Sequence, residues 1–155
     1  MKLYKSLVDR LNNQHEAINH LIKGADQPRL IFQPAPDKWS VHDNITHLAK
    51  YQPVFAERMQ AILKSDSPLF DRYSAGDDPD FEAWRGRETS DLIKALGKDR
   101  DAIFKMITGL SEQELARVGF HKKFGRLNII QWTEFFLLHE AHHIFTIFQL
   151  AHEQR

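Results

Sequence analysis

A chain of 155 residues fits one domain, which at this size buries roughly two-thirds of its unfolded surface. Lys plus Arg number 21 and Asp plus Glu number 21, so no charge imbalance points to nucleic acid or an acidic membrane as partner. Cysteine is absent, which excludes disulfides, thiolate metal sites and a cysteine nucleophile, and fits a reducing, cytoplasmic setting.

The opening MKLYKSLVDRLNNQHEAINHLIKG has charged and polar residues at every third or fourth position, a helix pattern and not the apolar core of a signal peptide. Residues 2–23 set Leu7, Leu11, Ile18 and Ile22 on one face, with Gly24 as the expected stop. After a connection containing Pro28, Pro34 and Pro36, Ser40 reads as an N-cap and Asp43 as the acid of a capping box. The second helix, about 40–64, buries Val41, Ile45, Leu48, Phe55, Met59 and Ile62. Pro53 lacks an N–H and crowds the preceding turn, which predicts a bend between Ala49 and Pro53. The stretch 65–88 has no sustained period and is rich in Asp, Ser, Pro and Gly. It reads as a long connection able to cross the bundle and to make the third helix parallel to the second.

The third helix, about 89–108, carries Leu92, Leu96, Ile103 and Met106 and ends at Gly109. Ser111 to Ala116 predict a short helical turn, and VGFHKKFGRLN a hairpin-like or irregular link around Gly125. The last helix, about 128–152, is the most apolar, yet no apolar run approaches the ~18 residues of a membrane span. The expected fold is all-α: a single four-helix-bundle domain over 1–155, up-down-down-up, with its long crossover between helices two and three.

Nine histidines stand out in this chain, and imidazole is the commonest metal ligand. At about 100° per residue, Trp132, Phe136, His139, His143, Thr146 and Leu150 share one stripe. His139 and His143 are thus one turn apart on a face that otherwise favours burial, the spacing with which one helix gives two ligands to one ion. His142 points about 60° away and is a weaker candidate. His15 shares the stripe of Leu11 and Ile18, His47 lies beside Tyr51 and Val54, and Asp99 interrupts the apolar row of the third helix. Unpaired, such groups cost several kcal/mol to bury, so they should find partners or a cation. In the expected topology His15, His47, Asp99, His139 and His143 lie about 10–20 Å below one end of the bundle, a common zone. His47, His139 and His143 are the expected ligands of a divalent ion. His15 reads first as a hydrogen-bonded core residue, and Asp99 as a partner of His15, an Arg or the backbone.

KWSVHDNITHLAKY (38–51) and FHKKFGRLNIIQWTEFFLLHEAHHIFTIFQL (120–150) resemble the DinB/YfiT-like metalloenzyme family, in its DinB-superfamily branch. The shared features are a W-S-x6-H-L segment opening the second helix and an F-G turn leading into a final helix with H-x-x-H-H. Pro53 has no match in that pattern. The resemblance implies a metal triad on His47, His139 and His143, zinc or nickel as the ion, and often a dimer. It also implies activities such as thiol-dependent transfer with a low-molecular-weight thiol, or isomerisation.

Three neutral imidazoles leave coordination positions open, as catalytic sites do. The reading is an enzyme, transferase or hydrolase, that activates a thiol or water against a small-molecule substrate. Asp99, His15, Tyr51 and Glu140 are its candidate hydrogen-bonding or proton-transfer partners. Arg85 and Trp84 would either cover the mouth or simply anchor the loop. The alternative is a non-catalytic dimeric interaction or stress-response module with a structural metal or polar core. A second apolar side of the last helix (Ile130, Leu137, Ala141, Ile144, Phe148) favours a homodimer in either case.

Overall fold

The computed structural model describes residues 2–153; residues 1, 154 and 155 of the expected domain lie outside the described residues. In chain order come α1 (Lys5–Asn13), a 3₁₀ turn (Gln14–Glu16), α2 (Ala17–Leu21), α3 (Gln27–Leu30) and α4 (Val41–Lys64). Then follow β1 (Leu69–Phe70), a 3₁₀ turn (Ala75–Asp77), α5 (Phe81–Arg85), α6 (Thr89–Thr108), α7 (Glu112–Leu115), β2 (Val118–His121), β3 (Gly125–Asn128) and α8 (Ile129–Glu153).

The start of α4 is set by the expected capping box. Ser40 Oγ accepts from the Asp43 N–H at 3.0 Å, and Asp43 Oδ2 accepts from the Ser40 N–H at 2.9 Å. The helix continues through Pro53 to Lys64. The first helix departs from expectation: it is interrupted at Gln14–Glu16 and does not run unbroken over 2–23. Asn12 and Asn13 are poor helix formers, and Gln14 Nε2 is drawn across to α8, donating to Leu137 O at 2.8 Å and Glu140 Oε1 at 3.0 Å.

Side-chain pairings fix the helix directions. His42 meets Thr89 at 2.7 Å and Gln52 meets Arg100 at 3.1 Å, so α6 runs parallel to α4. Asn44 meets His143 at 2.8 Å and His47 meets His139 at 3.0 Å, so α8 runs antiparallel to α4. Arg10 meets Glu134 at 3.0 Å, which aligns α1 with α8. The bundle is up-down-down-up.

The crossover has more structure than its sequence indicated. β1 pairs in parallel with β2, with Leu69 opposite Phe120, and β2 pairs antiparallel with β3. The hairpin turns at Gly125, whose φ of +73° favours glycine. The sheet sits tightly on the end of α4: a Cβ at Gly119 would lie 2.9 Å from Ile62 Cδ1 and from Phe70.

A polar belt divides the interior. One apolar cluster holds Leu11, Phe55, Ile103, Trp132 and Phe136; the other holds Ile18, Ile45, Leu48, Leu96 and Ile147. Between them, at mid-height, lie Gln52, Arg100 and Glu140, each 0–1% exposed. Among the described residues no helix is long and apolar enough to cross a membrane.

Candidate metal centre

The antiparallel pairing of α4 and α8 brings His47 against His139 and His143, with ring centroids 5.0 and 4.5 Å away. Among the described residues these are the three that can each present one nitrogen within 4.8 Å of the others. His47 Nε2 and His139 Nε2 face each other at 3.0 Å, while the Nδ1 atoms of both rings are buried without a partner. Metal–imidazole bonds of about 2.0–2.1 Å place neighbouring ligand nitrogens about 3 Å apart. A divalent cation taking both Nε2 lone pairs would leave the protons on the Nδ1 atoms. The donor set fits such an ion, since imidazole nitrogen is a ligand of several divalent transition metals.

A buried amide orients the third ring. Asn44 Nδ2 donates to Ser40 O at 2.8 Å, which turns Asn44 Oδ1 toward His143 Nδ1, 2.8 Å away. The oxygen can only accept, so Nδ1 carries the proton and the His143 Nε2 lone pair is free. Burial is the largest influence keeping all three rings neutral. His47 is lowered to about 3, with His139 adding to the effect. His139 is lowered to about 4, helped by His142, Arg58 and Arg72. His143 is lowered to about 2, helped by His47, His139 and His142. At neutral pH all three offer lone pairs.

The triad opens onto a cavity of about 370 Å³, within the size range of small-molecule sites. Trp39 forms one wall, 5.1 Å from the His47 ring and stacked on Phe81. Tyr51 forms another, 4.7 Å from the His139 ring, and its hydroxyl accepts from Arg58 Nη1 at 3.2 Å. Burial raises the Tyr51 pKa against the partial opposition of Arg58, so the phenol keeps its proton. The crossover supplies Arg72, Tyr73 and residues 74–76. Tyr73 donates to Asp78 Oδ2 at 2.8 Å, and Asp78 lies 3.5 Å from Lys50. His121 and the exposed His142 also line the cavity.

Of the four candidate hydrogen-bonding or proton-transfer partners named in the sequence, Tyr51 lines this cavity, and Glu140, His15 and Asp99 do not. Glu140 is 0% exposed and ion-paired with Arg100, whose Nε also donates to Gln52. His15 is half-buried with Nδ1 3.5 Å from Arg100 Nη1, and burial first, then Arg100, lowers it to about 4 against the pull of Asp101. Asp99 is half-buried, its carboxyl raised by burial and partly offset by Lys98. The buried residues of α6 are Thr89, Leu92, Leu96, Arg100, Ile103 and Ile107, so the inward charged residue is Arg100 and not Asp99. The two are adjacent at the edge of one stripe, and the carboxylate waiting on α8 decides which turns in. Arg85 anchors the crossover through Asp43 at 2.7 Å, and Trp84 lies 4.0 Å beneath the Arg87 guanidinium. Asn44, Arg58, Arg72 and His121 were not anticipated. Asn44 and Arg58 had a signal, since they share the α4 face of His47 and Tyr51.

Bundle topology and three-imidazole centre together define a helical bundle of the metal-binding kind. Residues 10–147 match the family model of the DinB superfamily, and the chain belongs to that superfamily. It is 25% identical over 136 residues to the uncharacterized protein YuaE of Bacillus subtilis (strain 168), covering 79% of this chain and 83% of that one. Its fold is similar to that of YfiT from Bacillus subtilis, described as a probable metal-dependent hydrolase with an unusual four-helix bundle topology. The TM-score is 0.83 at 16% sequence identity, over 99% of this chain and 90% of that one.

Proposed function

We propose that this protein is a metal-dependent enzyme acting on a small molecule, with His47, His139 and His143 as ligands of one divalent ion, zinc or nickel. The observation that carries this reading is an all-imidazole donor set on the wall of a cavity lined by no carboxylate, so that positions beyond the triad are open to a substrate. Held there, such an ion would supply the Lewis acidity that makes a thiol or water nucleophilic at neutral pH, the chemistry of a thiol-dependent transferase or a hydrolase. The chain's own groups hold and screen the reactants. Trp39 and Tyr51 supply apolar walls, and the Tyr51 hydroxyl, already accepting from Arg58, has its proton to donate to a developing negative charge. A thiol co-substrate would place the protein in the reducing cytoplasm.

The likeness to a protein described as a probable metal-dependent hydrolase supports the reading at the level of fold. The test has two parts. Protein purified without chelator should carry a divalent ion that His139→Ala/His143→Ala protein lacks; equal metal content in both refutes the triad. Thiol-conjugation and ester- or amide-hydrolysis screens should then give turnover that disappears on metal removal. Turnover indifferent to the ion refutes metal-dependent catalysis, and absence of turnover in metal-loaded protein favours the reading of a non-catalytic module.

One observation favours a homodimer under either reading. Leu138, Phe145 and Phe148 are 62%, 58% and 41% exposed on α8, and the last two line an apolar groove with Ala17, Leu21 and Ile144. Sedimentation of wild type beside Phe145→Glu should show a dimer that the variant loses.

A further inference from the structure

We infer that the substrate of this site is an anion, bearing a carboxylate or phosphate group that Arg58 and Arg72 receive beside the triad. The inference rests on the proposal that the cavity is a site of small-molecule chemistry. Its basis is an imbalance of charge. The cavity is lined by two guanidiniums, five imidazoles and two phenols, and by no Asp or Glu. Among the described residues neither arginine has a carboxylate partner, although acids stand close by. Those acids are committed elsewhere: the Asp71 carboxylate pairs with Lys122, and Asp78 is held by Tyr73 and Lys50.

The arginines are placed together by the fold. Arg58 Nη2 donates to the backbone carbonyl of Asp71 at 2.6 Å, which fixes the next residue, Arg72, at the same wall. The Arg58 guanidinium also lies among the rings of Tyr51, Phe70 and Trp132, 5.6–5.8 Å from each centroid. A charge so held is preorganised, whereas Arg72 is exposed and free to close on a ligand. His121 adds a neutral donor. Its Nδ1 accepts from the N–H groups of Lys123 and Phe124 at 3.0 and 3.2 Å, so the proton sits on Nε2. Two like charges without a counterion in a concave wall focus a positive potential, and a bidentate oxyanion is the ligand whose shape and charge match guanidinium.

The test titrates full-length protein, as purified and after stripping on a chelating resin, with succinate, inorganic phosphate and neutral succinamide at low ionic strength. Stripped wild type is expected to bind succinate or phosphate about tenfold more tightly than succinamide, and the better of the two arms names the anion. Arg72→Gln, at an exposed position, is expected to reduce that preference roughly fivefold, less at high salt, with metal content unchanged. Arg58→Lys should reduce it further if the protein folds. Absence of binding by either anion, equal binding of succinamide, or an undiminished preference in Arg72→Gln overturns the inference. Anion preference in wild type that carries no metal upholds it and defeats the metal reading alone.

Discussion

Asn44 Oδ1 lies 2.8 Å from His143 Nδ1, and the same amide donates to Ser40 O, so the carbonyl of the residue that caps α4 orients the amide that sets the tautomer of a histidine on α8. The start of one helix is thereby coupled to the free Nε2 lone pair of an imidazole on another. Asn44→Ala should leave helical content intact and weaken metal binding about 10–100-fold, the usual penalty for losing a ligand's hydrogen-bond partner. Asn44→Asp, which keeps an acceptor, should retain most of the affinity. Competition against a chromophoric chelator measures both, and wild-type affinity in Asn44→Ala would dissociate the amide from the site.

Arg100 and Glu140 make the second prediction. Each is 1% exposed or less, and the guanidinium is satisfied by Glu140, Gln52 and Leu11 O. Removing one partner strands a buried charge, so Arg100→Met and Glu140→Gln should each destabilise by about 3–5 kcal/mol in denaturant titrations. Arg100→Met/Glu140→Leu should recover most of that loss, because neither charge is then left buried. Non-recovery would assign the damage to packing.

The third concerns acid. His15 and His139 are lowered to about 4 and His47 to about 3, against an ordinary 6.5 in the unfolded chain. Below 6.5 the unfolded chain takes up protons that the folded chain refuses, so stability present above 6.5 is lost as pH falls toward 4. The urea midpoint of metal-free protein should drop between about pH 7.5 and pH 5, above most of the carboxylate range. His15→Gln should flatten part of the slope. A midpoint that does not move would contradict the burial of these rings.

Gly119 gives the fourth. An added methyl meets Ile62 and Phe70 at 2.9 Å, so Gly119→Ala should destabilise by about 1–3 kcal/mol. Ile62→Val in the same background removes one of the crowded carbons and should return part of it. Thermal unfolding of the two variants decides this.

How much of this was legible in the sequence follows the length of the elements. The capping box at Ser40 and Asp43, and the stripe from Trp132 to Leu150, are periodic features of long helices and can be read in one dimension. So can the histidine triad, because His139 and His143 interrupt such a period and His47 flanks one. The two-residue strand Leu69–Phe70 has no period, and only the hairpin beside it makes it a strand. Asp99 and Arg100 are one residue apart, and the choice between them lies with Glu140, 40 positions away. Arg72 carries no local signal, since its meaning depends on Arg58 gripping the carbonyl of its neighbour.

Among its fastenings, the crossover is held to β2 through Leu69 and Phe70, to Lys50 through Asp78, and to the head of α4 through Arg85. The triad itself stands on two long helices that the crossover merely flanks. On the proposed reading the ion would rest on the two helices alone, whereas a guest would meet both α4, through Tyr51 and Arg58, and the crossover, through Arg72 and Tyr73. Replacing residues 71–77 between two of those fasteners would re-tailor the chamber for another molecule while the imidazoles kept their places.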